Sequence, residues 1–212
     1  LIAVGFDVRY DRHEVSASEL RSVLDECRVS NCGGNVTMPH KHAVFDLASH
    51  RTPVALHAGA VNTFWWEDGQ LIGHNTDVDG VLATITALRP EGIDGDVVVL
   101  GAGGSAAAVL VALARTPRAS QSRTIVLART PERAVALTQR IAPGAMVVRD
   151  IQSIEWTRVA LVINTTPAGM QTDDPLPLDL DVLRTDAALF DLVYKREGTR
   201  WVRDARARGH AA

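Results

Sequence analysis

Val97–Ala106 reads VVVLGAGGSA, which is a fully apolar run followed by a glycine-rich turn. The run Val97–Leu100 predicts a buried strand, and Ala107–Ala114 after the turn predicts a helix. A strand, a glycine turn and a helix in this order form the context that a dinucleotide fingerprint requires. Gly101 permits the tight turn, and Gly103 permits the backbone to approach a pyrophosphate closely. The sequence therefore predicts a dinucleotide-binding unit that starts at this strand.

The helix after the turn explains why an anion would bind there. The first N–H groups of a helix have no partner within the helix, and the helix dipole places partial positive charge at the same end. A pyrophosphate group accepts hydrogen bonds from these N–H groups, and its negative charge is attracted to the positive end of the helix dipole. We therefore predict that the turn contacts the cofactor through Gly101, Ala102, Gly103, Gly104 and Ser105.

The residues after the next predicted strand, Thr124–Leu127, indicate which dinucleotide binds. An NAD-dependent enzyme usually presents an acidic residue here to the ribose 2′-hydroxyl. This chain offers Arg129, Thr130 and, one helical turn later, Arg133. Guanidinium groups bind phosphate oxygens in a bidentate fork, so this set suits a 2′-phosphate. Glu132 should point into the first turn of the following helix, so the sequence predicts NADP rather than NAD.

Strands and helices alternate from there to the end of the chain. The predicted strands are Met146–Arg149, Ala160–Ile163 and Ala188–Tyr194, and the predicted helices are Glu132–Ile141 and Thr199–Arg208. This alternation predicts a doubly wound, Rossmann-type α/β sheet with its ligand edge at the carboxyl ends of the strands. Asn164–Met170 and Leu192–Tyr194 lie at such ends.

The N-terminal half also alternates between strand and helix patterns. Phe6–Val15 predicts a strand, and Ser16 with Glu19 forms a capping box that predicts the start of a helix. In Asn35–Lys41 a short extended run stops at its proline, and a helix is predicted over Ala43–Ala48. A strand, a helix, a second strand and a second helix predict an α/β layer with parallel strands.

Short polar side chains surround a predicted hairpin, Trp65–Gly73, which carries an Asp-Gly turn. Asn62 precedes the hairpin and Asp77 follows it, so an amide and a carboxylate fall at strand ends, where binding groups tend to lie. Taken singly, these residues also fit ordinary turn chemistry, and Asp77 could cap a helix over Val78–Leu88. Lys41, taken alone, fits a solvated surface side chain.

The composition excludes several classes of protein. The 212 residues carry a formal net charge of −3 without a long Lys/Arg run, which argues against nucleic-acid binding. The longest apolar stretches are far shorter than the ~20 residues that a membrane span needs. Cys27 and Cys32 fit neither a zinc-ligand set nor a C-x-x-C redox pair, so no metal is predicted and a reducing cytoplasm is expected.

Arg89–Asp96 is the best candidate for a linker, because it combines proline, glycine and charge in a short span. It predicts two domains, residues 1–90 and residues 91–212. The sequence carries no signal that distinguishes a monomer from a homodimer.

Four motifs in a fixed order make the chain resemble the shikimate dehydrogenase family. They are Asn-Val-Thr-x-Pro-x-Lys at 35–41, Gly-Ala-Val-Asn-Thr at 59–63, Asn-Thr-Asp-x-x-Gly at 75–80 and Asn-Thr-Thr-Pro-x-Gly-Met at 164–170. The resemblance covers nearly the whole chain. It implies an N-terminal α/β substrate domain, a C-terminal NADP domain and an active site in the cleft between them. The implied reaction is the reversible, NADPH-dependent reduction of the small molecule 3-dehydroshikimate to shikimate, a step towards chorismate and the aromatic amino acids.

The same resemblance implies roles for individual residues. Lys41 and Asp77 match the family's catalytic pair, with Lys41 as the proton donor. Asn62 would hold the ring hydroxyls together with that pair. Thr37 and Tyr194 would lie near the substrate.

The resemblance also implies a cofactor contact and leaves alternatives open. Leu192 falls where the family places a residue against the nicotinamide, whereas Ala128 replaces an asparagine that usually precedes Arg-Thr. The family's N-terminal strand with its serine-bearing loop, and its C-terminal segment, have no counterpart here, so we expect a piece of a longer protein or a shortened relative. A quinate or aminoshikimate dehydrogenase, or an NADP-binding regulatory module without turnover, are the alternatives.

Overall fold

The computed structural model describes residues 9–171 and 173–212, and these residues form two β-sheets with helices packed against them. The helices are α1 (Leu20–Val29), α2 (Lys41–Leu47), α3 (Pro53–Ala58), α4 (Asp77–Leu88), α5 (Gly104–Leu113), α6 (Pro131–Ile141) and α7 (Arg200–Ala207). The strands are β1 (Gly34–Asn35), β2 (His50–Arg51), β3 (Thr63–Glu67), β4 (Gln70–His74), β5 (Asp96–Leu100), β6 (Thr124–Leu127), β7 (Met146–Val148), β8 (Val159–Asn164) and β9 (Ala188–Asp191).

The second sheet confirms the predicted doubly wound architecture. Its strand order is β7-β6-β5-β8-β9, and every neighbouring pair is parallel. Every residue of β5 and β8 is buried, as expected for central strands of a parallel sheet that is covered on both faces. The last strand ends at Asp191 rather than at Tyr194, so Leu192 and Tyr194 follow the strand instead of belonging to it.

The first sheet differs from the prediction of a parallel layer. Its order is β1-β3-β4-β2, and β3 pairs antiparallel with both β1 and β4, whereas β2 pairs parallel with β4. The physical reason is the hairpin at its centre, since a two-residue turn can join only antiparallel strands. Asp68 and Gly69 form that turn with φ angles of 49° and 72°, which confirms the predicted Asp-Gly turn.

Two expectations for the start of the chain need correction. Of the predicted strand at Phe6–Val15, positions 6–8 lie outside the described residues, and residues 9–15 form no strand. The first helix begins at Leu20 instead of Ser16, because the Ser16 hydroxyl donates to the Glu19 carboxylate at 2.5 Å rather than capping a helical N–H. The Ser16 backbone N–H donates to the same carboxylate at 2.9 Å, so the capping box is half formed.

Helix α4 connects the two halves of the chain. It precedes the predicted domain boundary at residue 90, yet its buried residues Val78, Val81 and Ile85 belong to the core under the five-stranded sheet. After it, Arg89 donates to the carbonyl oxygen of Ala160 at 2.6 Å and ties the predicted linker to β8. The boundary itself stays a prediction.

Asp96 at the start of β5 is fully buried and anchors this sheet. Its carboxylate accepts hydrogen bonds from the Arg123 backbone N–H at 2.9 Å and from the Arg123 guanidinium at 2.5 Å, and Arg158 lies 3.6 Å away. Burial by itself would raise the pKa of Asp96, but the hydrogen bonds and charge of Arg123, with the charge of Arg158, lower the pKa overall.

We expect Asp96→Asn to lower the free energy of unfolding near pH 7 by about 2 kcal/mol, since it removes charge-assisted hydrogen bonds from a buried group. Because the folded state lowers the pKa of Asp96, this stability is complete above the unfolded pKa of about 3.9 and is lost as the pH falls through the folded pKa. Urea unfolding at near-neutral and acidic pH measures both effects. Asp25→Asn, at an exposed position of α1, serves as the control and should change stability by less than about 0.5 kcal/mol. An equal loss for both variants would contradict the assignment.

Candidate active site

Lys41 and Asp77 form an ion pair between the first residues of two helices. The Lys41 Nζ donates to the Asp77 Oδ2 at 2.7 Å, and their side chains are 17% and 28% exposed. Lys41 is therefore not a solvated surface side chain. Thr76, rather than Asp77, occupies the N-cap position of α4, so the alternative in which Asp77 only caps the helix is wrong.

Asn62 fixes the second oxygen of this carboxylate. Its side-chain amide donates from Nδ2 to the Asp77 Oδ1 at 2.7 Å, and its Oδ1 accepts the backbone N–H of Thr76 at 2.9 Å. Both oxygens of Asp77 are thus held, and Asp77 in turn orients the ammonium of Lys41. An ammonium has three N–H groups, and among the described residues Lys41 Nζ donates to Asp77 alone. The arrangement can present further N–H groups to a small polar molecule.

Asn75 fixes the backbone at Asp77, a role for which the sequence offered only general turn chemistry. It is fully buried, donates to the carbonyl oxygen of Ala60 at 3.0 Å, and accepts the backbone N–H of Asp77 at 3.0 Å. Its place in an Asn-x-Asp run was a usable signal, because such an amide can bond to the backbone two residues later. The Lys41 end is held similarly, since its carbonyl oxygen accepts the backbone N–H of Val61 at 2.9 Å.

Thr37 and Tyr194 are not brought into this cluster by hydrogen bonds. Thr37 is exposed in the loop before α2, and Tyr194 is 93% exposed after β9. Within residues 9–171 and 173–212, neither side chain bonds to Lys41, Asp77 or Asn62. Their contact with a substrate stays a prediction.

The glycine turn has the shape that a pyrophosphate requires. Gly101 has a φ of 102°, and a Cβ there would lie 2.8 Å from the Thr165 Oγ1, so a side chain is excluded. Gly103 occupies the N-cap of α5, and a Cβ there would meet nothing within 4 Å. Gly104 and Ser105 begin the helix, whose first N–H groups point out of its end. The turn therefore fits a dinucleotide phosphate on steric and electrostatic grounds.

The predicted 2′-phosphate residues lie at the same edge of the sheet. β6 pairs in parallel with β5, so Arg129 and Thr130 after β6 are next to the glycine turn. Both are exposed, as is Arg133 in the first turn of α6. Thr130 holds the N-cap position of α6 but makes no side-chain capping bond, which leaves its hydroxyl available to a ligand. These three groups fit a phosphate monoester beside the turn.

A buried network fixes the strand ends beside the turn. Asp191 accepts hydrogen bonds from Asn164 at 2.9 Å, from the Val193 backbone at 3.0 Å and from the Thr199 hydroxyl at 2.7 Å. Burial raises the pKa of Asp191, and these hydrogen bonds act against it. The Leu192 backbone N–H donates to the carbonyl oxygen of Asn164 at 3.0 Å. The segment predicted to face the nicotinamide is thus attached to β8.

His42 lies between α2 and the glycine turn, a second feature that the sequence did not reveal. Its Nδ1 lies 2.9 Å from the carbonyl oxygen of Gly59. Its Nε2 lies 3.5 Å from the position that a Cβ on Gly104 would occupy. Since His42 directly follows Lys41, the start of α2 lies beside the glycine turn.

We expect Gly103→Ala to fold normally but to bind NADP on the order of tenfold more weakly, about 1.4 kcal/mol. The added methyl group meets no protein atom, yet it occupies the space beside the turn that a phosphate would use. Calorimetric titration with NADP and a thermal melt measure the two effects. Gly144→Ala, in the open turn after α6, is the matched control and should change neither. Unchanged NADP affinity in Gly103→Ala would show that the cofactor does not use this turn.

In the part of the chain that the structure describes, no cluster of His, Cys, Asp and Glu side chains is arranged to hold a metal ion. No helix among these residues is both long enough and apolar enough to cross a membrane.

Comparisons with known proteins identify relatives of the chain. The family model described as the shikimate dehydrogenase substrate binding domain matches residues 1–64. A shikimate dehydrogenase (NADP(+)) of Methylocella silvestris is 43% identical over 84% of this chain, and one of Azorhizobium caulinodans is 37% identical over 94%. The matched regions span 63% and 72% of those relatives.

A solved structure agrees with these sequence matches. The shikimate 5-dehydrogenase of Thermus thermophilus, in complex with NADP(H) and shikimate, superposes with a TM-score of 0.82 at 32% identity. The superposition covers 99% of this chain and 77% of that one. The similarity therefore includes both sheets of the described fold.

Proposed function

The chain belongs to the shikimate dehydrogenase family, and from this we propose that it transfers a hydride reversibly between NADPH and 3-dehydroshikimate. The observation that carries the proposal is the 2.7 Å ion pair between Lys41 and Asp77, which Asn62 orders and which lies at the start of α2, beside the glycine turn. Lys41 and Asp77 would carry out the proton transfer, and the glycine turn would bind the cofactor.

Lys41 has the geometry of a proton donor. Bound NADPH would supply the hydride to the carbonyl carbon of the substrate, and negative charge would develop on the carbonyl oxygen. A donor within hydrogen-bond reach lowers the barrier of such a step. Lys41 donates one N–H to Asp77 and can direct another to that oxygen. Asp77 keeps the ammonium oriented throughout.

The remaining predicted residues take roles around this pair. We assign Asn62 to a ring hydroxyl, since it bonds directly to the Asp77 carboxylate. Thr37 and Tyr194 would close the substrate side from two exposed loops, and Leu192 would lie against the nicotinamide. In this proposal residues 1–90 bind the substrate and residues 91–212 bind NADP. The cofactor contacts are Gly101, Ala102, Gly103, Gly104, Ser105, Arg129, Thr130 and Arg133.

One assay tests the proposal. The purified chain is incubated with NADP or NAD and with shikimate or quinate, and nicotinamide absorbance is followed. We expect reduction of NADP with shikimate, and slower reduction in the other three combinations. Faster turnover of quinate would assign the chain to the alternative ring substrate. Binding of NADP without absorbance change in any combination would contradict catalysis and support a binding module.

A further inference from the structure

A guanidinium crosses from the cofactor half of the molecule to the substrate half. Arg140, near the end of α6, donates from Nη1 to the carbonyl oxygen of His57 at 3.1 Å and from Nη2 to that of Ala58 at 3.0 Å. These carbonyls belong to the last turn of α3, where a helix has acceptors without helical partners and partial negative charge. The positive charge of Arg140 therefore complements the partial negative charge at the end of α3, and its N–H groups satisfy two carbonyl oxygens there.

The end of α3 leaves room for this guanidinium. Gly59 follows the helix in the left-handed conformation, with φ of 63°, and its N–H donates to the carbonyl oxygen of Ala55 at 2.8 Å. A Cβ on Gly59 would lie 2.5 Å from Nη1 of Arg140. A residue with a side chain at position 59 would therefore both strain the backbone and displace the guanidinium of Arg140.

Side-chain packing does not fill the space around this contact. Cavities of about 310 and 400 Å³ flank it, and Arg140 and Leu56 line both. Leu56 is itself 53% exposed. α3 also packs on this half of the molecule through Ala58, which is buried in the core of the five-stranded sheet, so the two hydrogen bonds add a polar connection between α3 and α6.

Both ends of this connection lead directly to the candidate site. After Gly59, the chain enters Ala60–Asn62, which contacts Asn75, bonds to the Lys41 backbone and holds Asp77. At the other end, α6 runs as one helix of 11 residues, about 16 Å long, back to the residues predicted to bind the 2′-phosphate. Arg140 thus joins α6 to the end of α3, directly before the segment Ala60–Asn62 that orders the ion pair.

We propose that Arg140 is a positioning residue for hydride transfer, because it fixes the angle between the unit that carries Lys41 and the unit that carries the glycine turn. The inference rests on the proposed function above. Hydride transfer requires reacting atoms about 3–3.5 Å apart, and an error of about 1 Å can cost up to about 10²-fold in rate. Arg140 acts on that distance through α3 and touches neither substrate nor reacting atoms.

The first measurement does not depend on activity. Spin labels are placed at Gln70→Cys, on the four-stranded sheet, and at Ser120→Cys, before β6, in a background with Cys27→Ser and Cys32→Ser. We expect Arg140→Ala to broaden the distance distribution between the labels measured by pulsed EPR. Arg140→Lys keeps one donor group and should broaden it less. A distribution as narrow as that of the parent protein would overturn the proposal, whether or not the chain turns over shikimate.

The second measurement separates positioning from stability and from cofactor binding. We expect Arg140→Ala to lower kcat by roughly tenfold or more, while calorimetric NADP affinity stays near that of the parent. Unchanged kcat, with or without a lower Tm, would overturn the positioning role. Arg21→Ala on exposed α1 is the control. If Arg140→Ala does not fold, Gly59→Ala displaces the same guanidinium and must show the same two effects.

Discussion

Lys41→Ala should reduce turnover by ~10²–10⁴-fold, the range expected when a proton donor is removed from a transition state in which charge develops on oxygen. The affinity for shikimate should change far less, because in the proposed complex the ring hydroxyls would keep Asn62 and Asp77 as partners. Steady-state kinetics with saturating NADP, followed by nicotinamide absorbance, measure kcat and KM separately. The effect is large because Lys41 is the cation that Asp77 holds at 2.7 Å.

The matched control for this variant is Arg21→Ala, which removes an exposed cation from α1. It should keep near-normal kinetics and show that loss of surface charge is not the cause. Near-normal turnover in Lys41→Ala would remove Lys41 from the chemistry and leave the ion pair with a structural role.

Asp77→Asn should lower kcat/KM for shikimate by roughly 10²-fold, because the amide no longer holds the ammonium in place by charge. An amide at this position also conflicts with Asn62, whose Nδ2 now donates to a carboxylate oxygen. Either Asn62 or the new side chain would have to turn its amide, and one of the two ordered contacts would be lost. Kinetics in both reaction directions measure this loss.

Asp79→Asn is the control for this second variant. Asp79 lies in the same first turn of α4, with its side chain 64% exposed and 4.0 Å from Arg115. The same chemical change there should leave kcat/KM within about twofold, since exposed ion pairs contribute little. Equal losses in the two variants would show that helix charge, and not the ion pair with Lys41, governs the rate.

The five-stranded sheet was predictable because its signal is local. β5, β6 and β8 are short apolar runs bounded by glycine or polar residues, and each lies within one residue of its predicted bounds. Central parallel strands bury both faces, so their composition alone identifies them. The glycine turn then predicted the cofactor edge from Gly101 and Gly103, two positions with distinct steric needs.

The four-stranded sheet was less predictable because its shortest strands depend on distant partners. β1 and β2 have two residues each, and their strand conformation comes from pairing with β3 and β4. α3 was not predicted, although Thr52 accepts the N–H of Ala55 at 3.3 Å and Pro53 occupies the first turn. That cap and proline are a usable start signal for a helix of six residues.

The composition of the candidate site followed from its motifs, but its geometry did not. The sequence separates Lys41 and Asp77 by 36 positions, and only the packed structure brings their charges together. Asn75, His42 and Arg140 were missed because each acts through a backbone carbonyl or N–H whose position depends on the tertiary fold. A sequence pattern shows which side chains are present, but it does not show which distant backbone groups they will meet.

Helix α4 links the candidate site to the core of the molecule. Its buried side belongs to the core of the five-stranded sheet, whereas Val44 of α2 belongs to the core of the four-stranded sheet. Asp77 and Lys41, at the first positions of these helices, are joined through one short segment, because Asn62 bonds to the Asp77 carboxylate and Val61 bonds to the Lys41 backbone. A core substitution that shifts α4 would therefore move the carboxylate that orients Lys41, so turnover should respond to packing changes that alter no ligand contact.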